Sequence, residues 1–139
     1  VAVLLEVSHP FRPPGLIDRI VNSLVEQKLD SVFVAVEETA SFWFQGNQGL
    51  TPIGEDGHAP RSERKPIYRE ISGMVCATRG EVIKRGDRLG RLVGMVPIRG
   101  MTGRVDVRSP MDLEIAKTLL PTWEAALERE AGEEPSHGA

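Results

Sequence analysis

Two apolar runs of strand length, separated by one amphipathic stretch, set the first constraint on this chain. The runs are VAVLLE, residues 1–6, and SVFVAV, Ser31 to Val36. Neither alternates polar with apolar residues. Continuous runs of this length read as strands buried on both faces, as in a parallel sheet. Between them, Gly15 to Lys28 repeats apolar residues at helical spacing. Leu16, Ile17, Ile20, Val21, Leu24 and Val25 form one stripe, while Asp18, Arg19, Glu26 and Lys28 fall outside it. The segment therefore predicts a right-handed βαβ unit whose helix covers the face between two parallel strands. A strand buried on both faces needs neighbours on both sides, and this one begins at residue 1, as Val. The expectation is that the chain is the later part of a longer protein, or a product called from a late start codon.

Residues 37–69 break this pattern. They are rich in Gly and Pro, with short strand-like pieces FWF and LTPI and turn signals GNQG and GEDG. This predicts an arm inserted in the sheet. Phe42, Trp43 and Phe44 pack either into the core or against a second subunit. The α/β pattern then resumes. GMVCAT (Gly73 to Thr78), RLVGMVPI and GRVDV read as strands, RGEVIKRG as a short helix stopped by Gly86, and Met111 to Glu130 as a helix that Pro121 kinks or divides. The reading is one α/β domain, residues 1–130, with a mostly parallel open sheet and an arm at about 37–69, followed by a flexible tail at 131–139.

Composition excludes several functional classes. A net charge of −3 gives no electrostatic field for nucleic acid and no polybasic membrane patch. The apolar runs are far shorter than the ~20 residues that span a bilayer. Cys76 is the single cysteine, so no internal disulfide forms; a reducing, cytoplasmic location is expected, with Cys76 a buried small hydrophobe. His9, His58 and His137 share no metal-ligand spacing, so a zinc site is not expected.

Ligands of open α/β sheets sit beyond the carboxyl ends of strands. The first such loop, EVSHPFR, carries Glu6, Ser8, His9 and Arg12; Arg12 offers a planar fork for carboxylate or phosphate. ERKPIYREISG carries Arg64, Lys65, Tyr68 and Arg69, whose spacing alone fits a solvated basic stretch better than a site. In VDVRSPMD, Asp106 could serve Mg²⁺, which prefers one or two carboxylates plus phosphates and water. Asp112 reads differently: Ser109 suits the helix N-cap, Pro110 the first helical position, and Asp112 the acid three residues after the cap.

Four stretches in order resemble the acylneuraminate cytidylyltransferase family, the CMP-sialic acid synthetases and their relatives. They are LLEVSHPFR (Leu4 to Arg12), DSVFVAV (Asp30 to Val36), RSERKPIYREISGMVCA and DVRSPMDL, against family patterns LLQPTSPLR, DSVVSV, RQxLPxxYRxNGAIY and DIDTxxDL. The resemblance implies a Rossmann-like nucleotide-sugar transferase fold, here lacking the N-terminal nucleotide-binding segment. It implies transfer of CMP from CTP to an acidic nine-carbon sugar with release of pyrophosphate, Mg²⁺ on the phosphates, and a homodimer formed through the arm. Carried over by position, Glu6, Ser8, Arg12, Arg64, Tyr68, Ser72 and Arg108 would bind substrate, and Asp106 the metal. Three positions depart from the pattern: Glu6 replaces a Gln, Ser72 an Asn, and Arg108 the second carboxylate. Arg108 repels Mg²⁺ where an acid would bind it, or itself contacts a phosphate. The alternatives are a catalytically degenerate homologue that binds a sugar acid or pairs with a subunit, and a Kdo or pseudaminic-type synthetase on the same fold.

Overall fold

The computed structural model describes residues 1–53, 60, 63, 65–71, 73–100 and 102–132. The chain is mixed α/β, built on strand β2 (Ser31–Glu38), which is buried along most of its length. On one side of β2 lies β7 (Val93–Ile98), parallel to it from Ser31↔Val93 to Val36↔Ile98. On the other side, two strands share its length. The first half pairs with β6 (Cys76–Thr78) and the second with β5 (Ile67–Glu70), both antiparallel. Strand β1 (Ala2–Leu4) lies outside β6, with Ala2↔Thr78 and Leu4↔Cys76 in register.

The sheet is therefore mixed, where a mostly parallel one was expected. Strands β1 and β2 do run in the same direction, but β6 lies between them and runs the opposite way. A strand buried on both faces has the same composition whichever way it runs, so its direction is not written in the apolar pattern. Strand β1 also departs from expectation. It is an edge among the described residues, with Val3 39% and Leu4 45% exposed. The helix that should cover it packs over β2, β6 and β7 instead.

That helix, α1 (Leu16–Glu26), buries the i, i+4, i+8 row Leu16, Ile20 and Leu24. These side chains close the core over Val32, Val34, Val36, Ala77, Val96 and Ile98. Ile17 and Val25, on the margins of the predicted stripe, remain exposed, because a helix lying on a sheet buries only its underside. The helix ends with Leu29 N–H donating to Leu24 C=O, and Lys28 takes a left-handed conformation, φ +54°.

The arm contains a separate hairpin, β3 (Trp43–Gly46) and β4 (Gly49–Pro52), closed by Asn47 and Gln48 as the GNQG signal predicts. Its apolar residues are not core. Trp43 is 50% and Phe44 63% exposed, and Leu50 and Ile53 are exposed as well. The second turn signal, GEDG, lies outside the described residues.

Helix α2 (Gly80–Lys84) is followed by Gly86 at φ +87°, the expected stop. GRVDV is not a strand: Thr102–Arg104 forms a 3-10 turn and residues 105–108 are irregular. Helix α3 (Pro110–Gly132) runs through Pro121 without division. Proline there removes one N–H from the ladder, and the turns on either side hold the helical path. Trp123 of α3 meets Phe11 of the first loop with ring centroids 5.5 Å apart, and Phe11 is buried. Among the described residues, no helix is long and apolar enough to cross a membrane.

Candidate functional site

A break in the sheet shapes the site. Between the β5 and β6 ladders, one β2 residue, Val34, spans a longer stretch of the opposite chain. Ile71 N–H donates to Val34 C=O (2.8 Å), and Val34 N–H donates to Val75 C=O (3.1 Å). Gly73 and Met74, between these two bonds, form a turn that bulges from the ladders and presents their carbonyls to the loop after β1.

That loop is fastened to the bulge by main-chain acceptors. Glu6 N–H donates to Gly73 C=O at 2.7 Å. Arg12 Nε donates to Met74 C=O at 2.8 Å and Arg12 Nη2 to Glu6 C=O at 3.1 Å. The fork expected to grip an anion therefore clamps backbone, leaving Nη1 outside these two bonds. Gly73 is needed for the approach. A Cβ there would stand 2.5 Å from Glu6 Oε2 and 2.8 Å from His9 Cδ2. Sequence reading missed Gly73, although a glycine between Ser72 and an apolar run was a usable signal of close backbone approach.

The segment after the 3-10 turn meets the same loop. Val107 N–H donates to Ser8 C=O at 2.8 Å. Arg108 then bridges two carboxylates: its Nε donates to Asp106 Oδ2 at 2.6 Å and its Nη2 to Glu6 Oε2 at 3.3 Å. The Ser8 hydroxyl lies 3.5 Å from the same Glu6 oxygen. Glu6, Ser8, Asp106 and Arg108 thus converge at one rim, close to the backbone clamp made by Arg12. Partial burial works to raise the Asp106 carboxyl, but the Arg108 hydrogen bond and the nearby Ser8 hydroxyl outweigh it and hold the group below its ordinary value. The Asp106 hydrogen bond and charge raise the Arg108 guanidinium in turn.

His9, only 5% exposed, sits in this loop, and its Nδ1 has no partner among the described residues. Asp106 Oδ1 is also buried and unpartnered. Buried polar atoms are ordinarily hydrogen-bonded, so these two mark where a water or a ligand oxygen would be satisfied.

Asp112 is a helix cap. Its Oδ2 accepts from Ser109 N–H and Ser109 Oγ, each at 2.8 Å, and from Arg108 N–H at 3.0 Å, while Asp112 N–H donates back to Ser109 Oγ at 3.2 Å. The Ser109 hydroxyl and these N–H groups hold the carboxyl below its ordinary value. The cap fixes the start of α3 and so aims Arg108 at Asp106.

The remaining sequence candidates stand apart. Tyr68 on β5 lies in register with Glu37, and no hydrogen bond links it to the Glu6–Asp106 cluster among the described residues. Arg64 and Ser72 lie outside the described residues. Arg69 is paired with Glu38, its Nε 3.0 Å from Oε1, and Arg104 Nη1 lies 3.1 Å from the same carboxylate. Hydrogen bonds from Arg69 and Arg104 hold the Glu38 carboxyl below its ordinary value. Glu38, Arg99 and Arg104 line an open cleft of about 770 Å³ at the carboxyl ends of β2 and β7. Sequence reading missed Glu38 too; its signal was a pair of acids ending an apolar strand.

The donor set does not suit Mg²⁺. A hard dication needs oxygens free to coordinate, whereas one oxygen of Asp106 and one of Glu6 are already bound to a guanidinium. No group of three or more metal-capable side chains occurs among the described residues. No protein-family model matches this chain, and no curated protein matches it.

Proposed function

We propose that this chain is a cytidylyltransferase-like protein whose rim at Glu6, Ser8, Asp106 and Arg108 receives an acidic sugar of the nine-carbon, sialic-acid type. On this reading the parent reaction is attack of the sugar's anomeric hydroxyl on the α-phosphorus of CTP, giving the CMP-sugar and pyrophosphate. The observation that carries the proposal is the junction of the two loops: Val107 N–H on Ser8 C=O and Arg108 on Glu6 draw together segments far apart in the chain. They are also the first and last of the stretches that resemble the family. Arg108 retains outward N–H groups beyond its two carboxylate bonds, suited to a sugar carboxylate or a phosphate oxygen.

The nucleotide loop of that family has no counterpart among the 139 residues, so the proposal for this chain is sugar binding and not complete turnover. A second reading, a module that pairs with another subunit, draws on the exposed Trp43, Phe44, Leu50 and Ile53 of the hairpin. Both readings are compatible with a homodimer formed through the arm. Thermal-shift and calorimetric titration with N-acetylneuraminic acid, Kdo and neutral hexoses tests the proposal. The acidic sugars raise the melting temperature, Ser8→Ala weakens the effect, and CTP with sugar yields no pyrophosphate above background. Indifference to every acidic sugar overturns sugar binding and leaves subunit pairing.

A further inference from the structure

Two carboxylates, Glu6 and Asp106, meet on one guanidinium, that of Arg108. We infer that Arg108 is the resident cation of the rim: it excludes divalent metal from the Glu6–Asp106 pair, and its removal uncovers a latent Mg²⁺ or Mn²⁺ site there. The inference stands on geometry and does not depend on the sugar-transfer reading.

Three observations support it. First, the two carboxylates belong to loops that meet by main-chain bonding, so their convergence does not rest on Arg108 alone. Glu6 is fixed by Gly73 C=O and by Arg12, and Asp106 precedes Val107, which bonds to Ser8 C=O. Second, Arg108 is positioned by the cap of α3, since its own N–H donates to Asp112 Oδ2. A cation tethered to a helix start is kept near these oxygens by the chain itself, whereas a metal must compete for them from solution. Third, Asp106 Oδ1 is buried with no partner, and the Ser8 hydroxyl lies beside Glu6. With Arg108 truncated, the Glu6 and Asp106 oxygens that it bridges are left on either side of the space it held, with the Ser8 hydroxyl beside Glu6. Hard dications favour such a set, completed by water.

Charge makes the exclusion two-sided. The guanidinium occupies the oxygens, and it also repels a dication brought close to it. Lysine at position 108 would keep the repulsion but lose the fixed fork. The variants Arg108→Ala and Arg108→Lys therefore separate removal of the cation from a change in its shape.

The test is calorimetric titration of Mg²⁺ and Mn²⁺ into the nucleotide-free chain, with circular dichroism to confirm folding. The wild type and Arg108→Lys show no saturable binding. Arg108→Ala binds saturably, at least about tenfold more tightly than the detection limit that bounds the wild type, and Arg108→Ala with Asp106→Asn loses that binding, as expected for a site built on one or two carboxylates. Saturable binding to the wild type that Asp106→Asn abolishes overturns the inference. So does a folded Arg108→Ala chain that remains blind to both metals. Should Arg108→Ala fail to fold, Mn²⁺ broadening of wild-type backbone amide signals decides: selective broadening at Glu6 and Asp106 overturns the inference, and its absence upholds it.

Discussion

Arg108 Nε lies 2.6 Å from Asp106 Oδ2, and the same guanidinium reaches Glu6, about a hundred residues earlier in the chain. A single side chain thus joins the first loop to the start of the last helix. Because Arg108 holds the Asp106 carboxyl down, Arg108→Gln raises the Asp106 pKa, followed by carboxyl-carbon NMR titration. A folded pKa below the unfolded value contributes stability that is present above the unfolded pKa and lost as pH falls through the folded one. The variant therefore loses stability at neutral pH relative to wild type and converges with it in acid. An unchanged Asp106 titration shows that the contact does not persist in solution.

Gly73 allows the first loop to lie on the bulge of the sheet. In Gly73→Ala the new methyl meets the Glu6 carboxylate and the His9 ring, so the loop must move. The expected outcome is loss of protection of the Glu6 amide in hydrogen exchange, with the α1 amides unaffected. Retained protection at Glu6 counts against the described bulge.

Leu24 and Ile17 lie two turns apart on α1, one buried and one exposed. Leu24→Ala should cost about 2–5 kcal/mol, as a cavity opens beneath the helix. Ile17→Ala should cost clearly less, about 1 kcal/mol, because the Ile17 side chain is partly in water and leaves no closed cavity. Urea unfolding of the two variants measures both, and equal losses would refute the helix orientation.

Lys28 closes α1 at φ +54°, a conformation that costs a residue with a Cβ more than it costs glycine. Lys28→Gly should raise stability by about 1 kcal/mol, read from the urea midpoint. A loss of stability would place position 28 outside the left-handed region.

Glu38 carries the pairing of β2's end with β5 and the 3-10 turn. Its depressed pKa means that its contribution is present above the ordinary carboxylate range and fades as pH falls through the folded value. Glu38→Gln should weaken the fold at pH 7 and flatten the acid limb of a stability-against-pH curve. A parallel curve, merely displaced, would show that Glu38 does not titrate with its two arginines.

The apolar runs and the helical stripe of α1 were legible because they record burial, and burial leaves a period in the sequence. The Asp112 cap was legible for a similar reason: its partners lie within a few residues, where spacing alone sets geometry. Strand order was not legible, because an antiparallel β6 between β1 and β2 depends on pairing energies between distant segments. The role of Arg12 was hidden in the same way. The sequence determines that it carries a forked cation, while the Met74 and Glu6 carbonyls that engage it are brought near only by the bulge opposite Val34. The sequence alone thus determined the elements, the cap and the charge at position 108. Tertiary structure decided that Arg108 bridges Glu6 and Asp106, because a short-range ion pair exists only where the fold sets two loops within a few ångströms.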